Sequence, residues 1–120
     1  MTSEAASRTP TSRAYYAAFW RTCNLLEAKG ITLPLRSQHD FCWRTFGNVR
    51  SAEGDKLREL GFALRARRIH ADYHDYPLTI ANAQNDVLDA EELIAALNAI
   101  FTLEWAAIAL HAQDILNDYV

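Results

Sequence analysis

Val87, Ala90, Ile94, Leu97 and Phe101 recur at i, i+3, i+7, i+10 and i+14, the spacing of one face of an α-helix. No stretch answers it with the alternation of a half-buried strand. No Asn-Gly hairpin turn and no internal repeat occurs either. The expected class is therefore all-α, an antiparallel up-and-down bundle of four helices with an undecided fifth.

The other segments fit that frame. Residues 1–10 form a Ser/Thr/Ala-rich tail ending at Pro10, and 11–120 form one helical domain. Thr11 or Ser12 can cap a first helix in which Tyr15, Phe19, Thr22 and Leu26 share a row, and Gly30 is its expected stop. Ile31–Leu35, around Pro34, reads as an extended connection. A second helix is expected from Ser37, fading by Arg50–Gly54. Asp55 can start a third, which runs to Tyr73 or Asp75 before Pro77 ends it. Thr79 can cap the fourth. From Thr102 to Val120 the pattern is still helical, with Trp105, Ala109, Ala112 and Leu116 on one line, either prolonging the fourth helix or folding back.

With 120 residues, half of them hydrophobic, the chain has enough apolar surface for one core. Its net charge of −3 provides no global field for nucleic acid, so any such contact must be local. Cys23 and Cys42 lack motif spacing and sit in apolar runs, as buried reduced thiols do. The polar N-terminus has no leader-like apolar run, and no run is long enough to span a membrane. A cytoplasmic location without membrane contact is expected. Trp20, Trp43 and Trp105 lie in apolar helical runs and read as core or interface, while His39 and His111 have no evident partner and read as surface residues.

The densest chemistry lies in Arg65-Ala66-Arg67-Arg68-Ile69-His70-Ala71-Asp72-Tyr73-His74-Asp75-Tyr76-Pro77. Leu57, Leu60 and Leu64 make a stripe that places Arg68 at its edge, and Asp72 at i+4 is a ready partner for that guanidinium. Phe62, Ile69 and Tyr73 make a second stripe on roughly the opposite side, one apolar face too many for a monomer; a homodimer burying it is expected. His70 and His74 at i, i+4 beside Asp75 are a chance-level zinc pattern with no third strong ligand, so neither metal nor other cofactor is expected.

Ser12-Arg13-Ala14-Tyr15-Tyr16-Ala17-Ala18-Phe19, then Gly30-Ile31, then Arg68-Ile69-His70-Ala71-Asp72-Tyr73 resemble the small bacterial proteins of the HEPN superfamily, in its Arg-x-x-Ala-Asp-Tyr subgroup, over roughly Ser12 to Phe101. The resemblance implies a four-helix bundle that dimerises, with an Arg-x4-6-His motif from each copy meeting in one cleft. It further implies a metal-independent endoribonuclease, of the kind that acts as a toxin beside a minimal nucleotidyltransferase antitoxin, or else a non-catalytic nucleotide-binding or protein-interaction module. Arg68 matches the motif arginine. The histidine is ambiguous: Tyr73 stands five after Arg68 and His74 six after, and Arg65 with His70 or Arg67 with His74 also satisfies the spacing. Arg68 with His74 is favoured because Asp72, Tyr73 and the helix stop then fall in the subgroup's places.

The chemistry suits that choice. RNA cleavage without metal needs a base for the 2′-hydroxyl proton and an acid for the leaving oxygen, and histidines from two copies supply both. Arginine's fork matches phosphate oxygens. Asp72 would orient Arg68, Tyr73 would pack at the dimer seam, and Arg65, Arg67 and His70 would bind RNA. By the same resemblance Tyr76, in a His-x-Tyr ending, is where an antitoxin would attach AMP.

Overall fold

The computed structural model describes residues 10–48, 51–73 and 80–119, with the backbone alone for 71–73 and 80–82. The described residues form five α-helices: α1 Pro10–Ala28, α2 Gln38–Arg44, α3 Ala52–Tyr73, α4 Ile80–Asn98 and α5 Thr102–Leu116, followed by a 3-10 turn at Asn117–Tyr119. No strand occurs among them. The all-α class stands.

Each boundary has a local cause. Pro10 begins α1, and Thr11 does not cap it; the Thr11 hydroxyl instead donates to Asp86 on α4 at 2.5 Å. Gly30, at φ 81, ends that helix in the left-handed conformation that glycine adopts without a Cβ clash. The second helix is shorter than expected, because Thr45–Asn48 tighten into turns. α3 starts at Ala52, ahead of the expected Asp55, since the Ser51 hydroxyl accepts the Gly54 N–H at 3.2 Å as an N-cap. Thr79, the expected cap of α4, lies outside the described residues. α4 stops at Asn98, and α5 leaves it at 103° after Phe101, whose N–H donates to the Glu104 carboxylate at 3.0 Å. Thr102–Leu116 is thus a separate helix.

α1, α3 and α4 pack on one another, and α2 closes over α1 and α3. Tyr15, Phe19, Leu26, Phe41, Trp43, Phe46, Leu57, Leu64, Leu93, Leu97 and Ile108 form the buried centre. Fully burying one such side chain is worth about 1.5–3 kcal/mol. On α4 the buried row is Asp86, Ala90, Leu93 and Leu97, continued just past the helix by Ile100, whereas Val87 on α4 and Phe101 after it are exposed. The expected face was therefore offset, because Asp86 enters the interior as a paired carboxylate that hydropathy alone would put outside. α5 docks on the α2 end of the core. Trp105 meets Phe46 edge-on at 6.1 Å, Asn48 donates to the Ala107 carbonyl at 3.0 Å, and Arg44 pairs with Asp118 at 2.7 Å.

Cys23 and Cys42 are buried free thiols, and burial together with Cys23 pushes the Cys42 thiol up. Trp43 and Trp105 belong to the core, and Trp20 is 37% exposed. No single helix among the described residues is long and apolar enough to cross a membrane.

Candidate functional site

The line Leu57, Gly61, Leu64, Arg68 turns its α3 face toward α1 and α2. Arg68 does not stand at the edge of a stripe; it continues the buried line and is 7% exposed. Its Cζ lies 5.2 Å from the Tyr16 ring centre and 5.8 Å from that of Tyr15. Cation–π contacts of this kind contribute about 0.5–2 kcal/mol, more when desolvated. Two of the three sequence stretches that carry the HEPN resemblance, Ser12–Phe19 and Arg68–Tyr73, therefore touch through Tyr15, Tyr16 and Arg68. The side chains of Asp72 and Tyr73, and all of His74, Asp75, Tyr76 and Pro77, lie outside the described residues, so the roles expected of them have no geometry here.

Arg67 faces the other way. It pairs with Asp86 at 2.7 Å and Asp89 at 2.6 Å, and Asp86 is 4% exposed. Two carboxylates on one side of α4 hold this guanidinium, which leaves it little charge to offer RNA. His70 is exposed on α3. Arg65 is half-buried with an Nε that has no hydrogen-bond partner, and no carboxylate among the described residues pairs with it. Phe62 packs partly against the chain's own core and Ile69 is half-buried, so the stripe expected at a dimer axis is in part used internally.

His39 corrects the sequence reading most. It is no bare surface residue: its ring stacks on Phe19 at 4.0 Å and 9°, and its Nδ1 lies 2.7 Å from the Tyr15 hydroxyl. The Trp43 indole, which can only donate, gives its N–H to the same hydroxyl at 3.1 Å. Tyr15 keeps one proton to give, and Nδ1 is the acceptor in reach. If His39 donated from Nδ1 instead, the phenol proton would be buried without an acceptor, at a cost of about 1–3 kcal/mol. The relay thus fixes His39 as the Nε2–H tautomer. Burial first, then Arg68 and Arg65, lower its pKa to about 4, and burial raises that of Tyr15. Both are neutral at pH 7. His111 likewise is half-buried, over Gly47.

This neutral imidazole sets a pH dependence. Unfolded, His39 takes a proton near pH 6.5; folded, it resists until about 4. Its contribution is therefore fully present above pH 6.5 and is lost as pH falls from there to about 4. The part-exposed ring makes about 3 kcal/mol an upper bound. Urea unfolding at pH 7.5 and pH 5 should show a drop in the wild type that His39→Phe, which keeps the stack on Phe19, flattens.

Compared with protein-family models, curated proteins and solved structures, the chain matches none. Among the described residues no group of three His, Cys, Asp or Glu side chains is placed to hold a metal ion. What the site can do rests on its own residues: a cation clasped by two phenol rings, a second cation with no carboxylate partner among the described residues, and an imidazole of fixed tautomer.

Sequence reasoning named Tyr15, Trp43 and His39 separately, the last as a surface residue, and did not join them into one relay. The available signal was a histidine four residues before a tryptophan on a short helix, a spacing that puts both on one face.

Proposed function

We propose that the chain is a HEPN-type module that works as a homodimer and cleaves RNA without metal at its Arg68 end. The observation that supports this reading is the clasp of Arg68 by Tyr15 and Tyr16, which joins two of the resembling stretches into one locus. In this reading Arg68 offsets the charge that builds on the phosphate in the transition state, and His74 of each copy moves a proton. Asp72 and Tyr73 orient and enclose the pair. A minimal nucleotidyltransferase is the regulatory partner, acting at Tyr76. The deciding experiment incubates purified protein with mixed single-stranded RNAs in excess chelator. Cleavage that persists there, and that disappears in His74→Ala, supports the reading; intact RNA overturns it.

A second reading draws on a different observation. Arg67 is held by two carboxylates and Arg68 is 7% exposed, the condition of arginines that fasten helices together. The module would then be a non-catalytic nucleotide-binding or protein-interaction domain in which Arg68 ties α1 to α3. Light scattering at high micromolar concentration separates the two, because a clean monomer has no shared cleft.

A further inference from the structure

Arg65 poses a question that the clasp around Arg68 does not answer. Its Nε is buried without a hydrogen-bond partner, and no carboxylate among the described residues neutralises it, whereas Arg67, two residues on, has two. A guanidinium taken partly out of water in this way favours an anion beside it. The surroundings say where one would sit. A Cβ on Gly61 would stand 2.2 Å from Cδ2 of the Trp43 ring, so α2 and α3 touch there. One turn back along α2 from Trp43 is His39, and one turn on along α3 from Gly61 is Arg65. The charges of Arg65 and Arg68 both bear on the His39 ring, which agrees with that placement.

The relay from Trp43 through Tyr15 leaves the Nε2–H of His39 as its one remaining donor. None of the described residues accepts it. A neutral N–H donor can approach the Arg65 guanidinium without repulsion, and the two side chains together present donors only, which suits an anion with several oxygens and disfavours a cation or an amine.

We propose that Arg65 and the Nε2–H of His39 form a phosphodiester pocket beside Arg68, gripping one phosphate of an RNA strand between α2 and α3. This rests on RNA being the ligand, as proposed above, but not on its being cut. Tyr15 and Trp43 are positioning residues, since they fix the imidazole and do not reach the phosphate.

Binding of a short fluorescein-labelled 2′-O-methyl RNA, which has no 2′-hydroxyl to attack, tests this by fluorescence anisotropy. Arg65→Gln and His39→Phe should each weaken binding about 10-fold or more, the loss expected for one hydrogen bond to a charged group. His39→Gln, whose amide carries an N–H near the Nε2 position, should retain most of the affinity. Circular dichroism and urea midpoints on each variant check that it is folded. If either Arg65→Gln or His39→Phe, folded, binds as tightly as the wild type, or if the wild type does not bind, the pocket is wrong. Cleavage of unmodified RNA, followed in parallel, separates the two proposals. Lost binding in the variants with no cleavage by the wild type removes the ribonuclease and keeps the pocket; cleavage with unchanged binding removes the pocket and keeps the ribonuclease.

Discussion

Arg68→Ala is expected to lower RNA cleavage by about 10²–10³-fold, the usual consequence of removing one preorganised group that offsets transition-state charge. The same substitution removes a cation from above the rings of Tyr15 and Tyr16 and leaves a void on a buried line. A stability loss of about 1–3 kcal/mol should accompany it. The alanine variant alone therefore does not tell a catalytic arginine from a fastening one. Arg68→Lys does. Lysine restores a positive charge over the two rings, and with it most of the thermal stability, but its point charge cannot make the bidentate fork that arginine offers a phosphate. Cleavage should stay low in Arg68→Lys while its urea midpoint returns toward that of the wild type. If cleavage instead recovers in step with stability, Arg68 acts through the fold and the catalytic assignment fails.

That ambiguity traces back to what the sequence could reveal. The helical rows of α1 and α3 were readable because each is long and carries buried residues at regular pitch, and Gly30 announced its own turn. The α4 row was misplaced because Asp86 is an interior carboxylate, and its reason for being inside is Arg67 on another helix and Thr11 on a third. Periodicity carries no information about such a partner. His39 was missed for a related reason. α2 has seven residues, too few to display a period, and the rings that claim His39 come from α1, 20 or more positions away. Of the expected site, Arg68 and Arg65 fall together near His39, Arg67 is drawn away to α4, and the histidine and tyrosine pairings rest on the side chains of 72 and 73 and on residues 74–76, which lie outside what is described. The Tyr15–Tyr16–Arg68 contact had no signal in local spacing; only the HEPN resemblance put the two stretches into one frame.

The close approach of α2 and α3 gives the prediction with the largest effect on stability. Gly61 lies in the interior of α3, and a Cβ there would stand 2.2 Å from Cδ2 and 2.4 Å from Cε3 of Trp43. On an exposed helix Gly→Ala would gain about 1 kcal/mol from propensity. Here the methyl must occupy the place of an indole ring that is fully buried and tethered through its N–H to Tyr15. The ring cannot turn aside without breaking that bond, so the helices must part, and overpacking of this kind costs about 3 kcal/mol or more. Gly61→Ala should accordingly lose roughly 10 °C in Tm. The displacement has a second reading at the site. Moving Trp43 withdraws the donor that leaves the Tyr15 proton to His39, so the imidazole loses its fixed tautomer, and the ring-nitrogen NMR signals of His39 should shift toward those of a mixed population. A Gly61→Ala protein as stable as the wild type, with an unmoved His39 signal, would show that α2 and α3 do not meet at Gly61, and the pocket argued between them would lose its wall.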